Sequence, residues 1–217
     1  MKKERILLIG AGPHAKVVLD ILLLDKEKQV VGLTDKNEEL WGKKILEVPV
    51  LGNDSLVREL LSEDKIDSVI LGLGYKLISV REKIYDQITK LDVKVATAIH
   101  PSATVAKSSS IGKGSVVMAG AVVNPRAKIE ENCVVNTGAI IEHDVAIGKG
   151  CFVQGGANIA GSVIIGTNSV VGLGASIIEE KRVGTNSIIG AGAVVTEDVP
   201  DNLVVVGVPA KKLRRND

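Results

Sequence analysis

The chain has 217 residues, 45% of them hydrophobic, and carries 27 basic against 26 acidic side chains for a net charge of +1. That is enough to bury the cores of two small domains, while the balanced charge leaves no basic stripe to neutralise a nucleic-acid backbone. No run comes near the roughly 20 apolar residues that a bilayer crossing needs, and Arg5 is followed by a short strand instead of a secretory leader, so a cytoplasmic protein without a membrane partner is expected.

Residues 1–98 alternate short apolar runs with helical stretches, the pattern of an α/β unit with a parallel, Rossmann-like sheet. The runs predict strands at Ile6–Ile9, Val30–Leu33, Val69–Leu71 and Val93–Ala98. Helices are predicted over His14–Leu24, from Asp54 onward, and over Val80–Leu91. Between the first strand and the first helix, Gly10 to Ala15 fit G-x-G-x-x-A, where backbone N–H groups and the helix dipole favour a phosphate. A dinucleotide enzyme would need a second mononucleotide half, for which the chain leaves no room, so a nucleoside diphosphate on a sugar fits better. Asp35 follows the second strand, where an acidic group meets a ribose or base, and a solvated loop aspartate is the equal alternative.

From Ile99 to Val195 an Ile or Val recurs at every sixth position, seventeen times in succession. Four residues after each one the side chain is usually small, as at Ala121, Ala127, Cys133, Ala139 and Cys151. A period of six drifts around a helix and is too long for a simple strand. It suits a triangular β-solenoid, with the branched residue filling the prism and the small one at a corner. Three hexapeptides close one coil, so residues 18 apart stack at about the 4.8 Å strand spacing. Glycines after the aliphatic position, such as Gly112, Gly148 and Gly166, are expected to supply the tight turns. Cys133 and Cys151 are 18 apart and are read as stacked, small buried residues, neither redox-active nor metal-binding.

The sequence resembles the hexapeptide-repeat acyltransferases, and more narrowly the sugar O/N-acyltransferases that include sialic acid O-acetyltransferases and nucleotide-4-amino-sugar N-acetyltransferases. The resemblance rests on Gly10-Ala11-Gly12-Pro13-His14-Ala15-Lys16, His100-Pro101, Glu142-His143-Asp144 and Gly207-Val208-Pro209-Ala210-Lys211, together with the repeats. It implies an α/β nucleotide-sugar-binding domain over 1–98, followed by a left-handed parallel β-helix with a C-terminal tail over 99–217. Acetyl-CoA would be the co-substrate, no metal would be used, and the assembly would be a homotrimer with coenzyme sites between subunits. Gly10, Gly12, Pro13, His14, Asp35, Gly72, Gly74 and Tyr75 would line the nucleotide-sugar pocket.

By the same resemblance His143 would be the general base and Asp144 the carboxylate that fixes its tautomer. Gly161 lies 18 residues on and stacks over His143, a candidate oxyanion donor to the coenzyme thioester, while Leu173 and Ala191 would line the coenzyme groove. The chain departs from the family at Phe152, where a second histidine is common, which bears on the acceptor. The expected reaction is N-acetylation of a UDP-type 4-amino-dideoxy sugar in glycan-precursor biosynthesis. O-acetylation of a sialic acid or other sugar is the alternative, and a non-catalytic nucleotide-sugar scaffold a further one. A zinc hydratase on the same solenoid would need three convergent histidines, but His100 is out of step with His143 and His14 precedes the repeats.

Overall fold

A computed structural model of the chain describes residues 3–216. They divide between Ala98 and Ile99 into two compact units.

The first unit runs β1 (Glu4–Ile9), α1 (Pro13–Leu24), β2 (Lys28–Thr34), β3 (Lys44–Ile45), β4 (Val48–Gly52), α2 (Leu56–Ser62), β5 (Ser68–Leu71), α3 (Ile78–Ile88) and β6 (Lys94–Val95). The sheet order is β3-β4-β2-β1-β5-β6, parallel except for β3. Ile6 to Ile9 of the central strand are buried, which explains their unbroken apolar run. The order reverses between β1 and β5, and the crevice beyond the carboxyl ends of such strands is the usual place for a ligand in an open α/β sheet.

Two features differ from the sequence expectation. The β3–β4 hairpin is additional, and its two-residue turn is Leu46-Glu47, with φ of 45° and 65°. Such a turn normally announces itself with Asn-Gly or Asp-Gly, and Pro49 in β4 further disguises the strand. The last strand is also shorter than expected, covering only Lys94–Val95.

The second unit is a parallel β-helix of two-residue strands in three sheets. Its register confirms the 18-residue coil: Val135 pairs with Val153, Val153 with Val171, and Ile141 with Ile159. The every-sixth residues from Val117 to Val195 and most of the small residues form one continuous buried core, with Val105 and Ile111 packed partly buried against it, whereas Ile99, the first of the series, is exposed. Each coil donates backbone hydrogen bonds to the next, as from Val134 to Cys151 O (2.9 Å) and from Asn136 to Val153 O (2.8 Å). The last coil is closed by Leu203–Val206, against which Lys211–Arg215 runs antiparallel.

Cys133 and Cys151 lie in one corner column with Ser115, Ser169 and Ser187, spaced by 18. The serines donate to carbonyls of the adjoining coil, at 2.9 Å to Glu130 O from Ser115 and 2.7 Å to Gly184 O from Ser169. The two thiols make the same contact, to Gly148 O at 3.1 Å and Gly166 O at 3.0 Å. They act as small corner donors, and burial pushes the Cys151 thiol well above its ordinary range.

The glycines after the aliphatic positions do not make the turns. A Cβ on Gly112 would stand 2.5 Å from the backbone of Glu130 and Glu131, and one on Gly166 equally close to Thr185 N. They are glycine because successive coils approach too closely there for a side chain. The turning residues come two positions later, with φ near +60°, in three columns. One column is all glycine (Gly120, Gly138, Gly156, Gly174, Gly192), and a second is glycine and asparagine (Gly114, Asn132, Gly150, Asn168, Asn186). The third is Arg126, Asp144, Ser162 and Glu180.

Candidate active site

Left-handed backbone suits glycine and is tolerated by asparagine, whereas on other residues it costs roughly 1 kcal/mol or more each. Two corners of the prism follow that rule, and the third keeps Arg126, Ser162 and Glu180 against it. This third corner also carries His143, one residue before Asp144. The histidine side chain is 58% exposed, and its Nδ1 lies 2.9 Å from Asp144 Oδ2.

Asp144 is held in turn by the coil before it. Arg126 Nε donates to its Oδ1 at 2.6 Å and Arg126 Nη2 to its Oδ2 at 2.7 Å. The Arg126 contact first, and His143 second, lower the Asp144 carboxyl to about 2. The carboxylate is therefore ionised across the neutral range and accepts a proton-bearing Nδ1, which leaves Nε2 as the basic nitrogen of a neutral imidazole.

Gly161 stacks on the next coil. A Cβ there would stand 2.7 Å from both Cε1 and Nε2 of His143, so only glycine lets the ring lie where it does. Gly161 itself is buried, and its N–H has no hydrogen-bond acceptor among the described residues. Glu142, on the other side, accepts from Asn124 Nδ2 at 3.0 Å.

Leu173 and Ala191 are exposed and stack on a different corner, the all-glycine one, beside Gly174 and Gly192. That corner and the His143 corner border opposite sides of the same prism face, the sheet of Ile140, Asn158 and Ser176. Six residues of extended chain separate the corners, at most roughly 20 Å. A groove of about 670 Å³ lies on this face, lined by Ile140, Glu142, Asn158, Ala160, Ile178 and Glu179 among others. Phe152 sits on another sheet between Val134 and Val170 and is 1% exposed, so it presents no surface to a ligand in this structure.

In the first unit, the glycine loop joins the carboxyl end of β1 to α1. Gly10 has φ of 100° and donates to Thr34 O at 2.8 Å. A Cβ on Gly12 would meet nothing within 4 Å, whereas one on Gly72 would strike Ala15 at 2.7 Å. Gly72 therefore serves the packing of α1 on the sheet, and Gly12 faces open space. Asp35 Oδ2 accepts from Ala11 N at 2.8 Å and its Oδ1 from Asn37 N at 2.9 Å, so this carboxylate ties the loop to the end of β2.

A helix leaves its first N–H groups without intrahelical acceptors, and Pro13 has none to offer, so His14 and Ala15 supply those donors. Burial, with Arg81 nearby, lowers the His14 imidazole to about 4. At neutral pH it is uncharged, so this imidazole adds no positive charge to the loop. Tyr75 is exposed after Gly74, the residue that precedes the turn Tyr75–Leu77. A small cavity of about 110 Å³ is lined by Gly10, Asp35, Lys36, Leu73, Leu77 and Val80 among others.

Arg126 is the site residue that sequence reasoning missed, although it lies 18 positions before Asp144 and the coil arithmetic reaches it. Among the described residues, no group of three or more His, Cys, Asp or Glu side chains is arranged to hold a metal ion. No helix among them is long and apolar enough to cross a membrane.

Residues 5–88 match the PglD N-terminal domain, and residues 126–161 match the bacterial transferase hexapeptide (six repeats). The acetyltransferase domain of PglB from Neisseria gonorrhoeae FA1090 is 33% identical with a TM-score of 0.91, covering 97% of this chain and 100% of that one. It has also been solved with acetyl coenzyme A. GDP-perosamine N-acetyl transferase from Caulobacter crescentus, solved with CoA and GDP-perosamine as a variant with a histidine replaced by alanine, is 32% identical with a TM-score of 0.89. That match covers 96% of each chain. UDP-N-acetylbacillosamine N-acetyltransferase of Bacillus subtilis (strain 168) is 31% identical over 117 residues, which span 54% of this chain and 52% of that protein.

Proposed function

Because the chain belongs to the hexapeptide-repeat sugar N-acetyltransferases with a PglD-type N-terminal domain, we propose that it transfers acetyl from acetyl-coenzyme A to the amino group of a nucleotide-linked 4-amino sugar. The observation that carries this reading is the His143–Asp144 pair standing against Gly161, at the corner whose left-handed turn positions are Arg126, Asp144, Ser162 and Glu180. Nε2 of His143 accepts a proton as the substrate amine attacks the thioester carbonyl carbon. The C–S bond then breaks, and the coenzyme leaves as the thiol after protonation. The Gly161 N–H is the candidate donor to the developing oxyanion.

In the first unit, the loop Gly10 to Ala15 and Asp35 would hold the nucleotide part of the acceptor. The nucleotide is proposed as UDP, after the Bacillus subtilis relative's substrate type, against GDP in the Caulobacter protein. Thiol release measured over UDP- and GDP-linked 4-amino sugars and sialic acid tests the reading. Turnover of a UDP-4-amino sugar is expected, with Gly12→Val raising the KM for that sugar at unchanged KM for the coenzyme. Exclusive turnover of sialic acid would overturn it.

A trimer is proposed as the working unit. In one chain the His143 corner and the Leu173–Ala191 corner flank opposite sides of a face, whereas a second copy packed on that face would bring one chain's His143 to the other's Leu173. Sedimentation is expected to give three chains per particle. A fully active monomer would refute the shared site.

A further inference from the structure

Arg126 has no need, as a turn residue, to be arginine. The equivalent positions of the other two corners are glycine or asparagine, and Arg126 holds φ of 63° at a cost that those residues avoid. What it gains is a two-pronged contact with Asp144 across one coil, 2.6 Å and 2.7 Å long. Such a fork fixes both oxygens of a carboxylate in one plane, which a lysine ammonium cannot do.

An exposed ion pair is worth little to stability, and the Arg126 side chain is 72% exposed. An arginine at this position therefore points away from folding and toward the group that Asp144 holds. With Oδ1 taken by Arg126 Nε, the carboxylate cannot rotate away, and its Oδ2 stays 2.9 Å from Nδ1 of His143. The imidazole is thereby kept in one tautomer and one plane, with Nε2 beside Gly161.

We propose that Arg126 is a positioning residue for acyl transfer, acting through Asp144 to hold His143 with Nε2 free to take the substrate proton. The proposal rests on His143 being the general base. It predicts that Arg126→Gly, which relieves the left-handed backbone and leaves the corner intact, lowers kcat about tenfold. The KM of both substrates should stay within about twofold, and the melting temperature within about 2 °C. Arg126→Lys should recover only part of the loss, and guanidinium ion added to Arg126→Gly should recover more than an equal concentration of ammonium.

The decisive comparison is the double variant. In an Asp144→Ala background the Arg126→Gly change should cost less than about twofold, because its target is gone. An undiminished tenfold loss there, or a loss expressed as a raised KM for the coenzyme, would show that Arg126 contacts a substrate instead and would overturn the proposal. Full activity of Arg126→Gly would overturn it equally. If His143→Ala kept wild-type kcat, the base assignment would fail independently of Arg126.

Discussion

His143→Ala is expected to lower kcat by roughly 10² to 10⁴, the range that a positioned general base contributes, while leaving coenzyme affinity and oligomeric state unchanged. The ring is 58% exposed and is not part of the buried solenoid core, so its removal does not touch what holds the coils together. Asp144→Ala should cost less, because a neutral imidazole remains.

Asp144 stays ionised across the neutral range. Its folded value of about 2 lies below the usual carboxylate range, so the stabilisation from its ionised form is complete above that range. It is lost only as pH falls from about 4 toward about 2. His143→Ala is therefore to be assayed at neutral pH, where Asp144 is ionised. A variant that kept more than about a third of wild-type kcat would leave proximity alone as the source of catalysis.

The second large effect is on the fold. Val153 is 1% exposed and stacks between Val135 and Val171 inside the prism. Val153→Asp places a carboxylate in a column of methyl groups with no cation facing it, at a cost of several kcal/mol. A domain's whole stability is about 5–15 kcal/mol, and each coil depends on its neighbours. The variant should lose soluble expression, or melt far below the wild type if it is recovered. An unchanged melting temperature would mean that position 153 faces outward.

The solenoid was legible because its signal repeats: every sixth residue fills the same prism, so Val117 to Val195 report one buried environment coil after coil. The same arithmetic places Gly161 over His143. Asp35 was placed at the nucleotide loop by sequence, but its bond to Ala11 depends on how the end of β2 meets that loop, which no periodicity encodes. The shift of His14 has a similar origin, since Arg81 comes from α3, 67 positions further along the chain. The Leu46-Glu47 turn gave no signal because its residues are ones that ordinarily avoid positive φ. The glycines after the aliphatic positions were seen, but their reason was misread. Sequence marks where a side chain is missing and leaves open whether the cause is curvature or a neighbouring coil.

The final strand has a consequence for the protein in crowded solution. A stack of parallel strands ends in a row of unsatisfied N–H and C=O groups, an edge that can recruit another chain and grow into a fibre. Here Lys211–Arg215 reverses direction against Leu203–Val206, so one of the three sheets does not finish on a parallel edge that a further coil could extend. Its outer surface carries Lys211, Lys212, Arg214 and Arg215, all exposed. Positive charge on that strand opposes the docking of a second such end on this sheet.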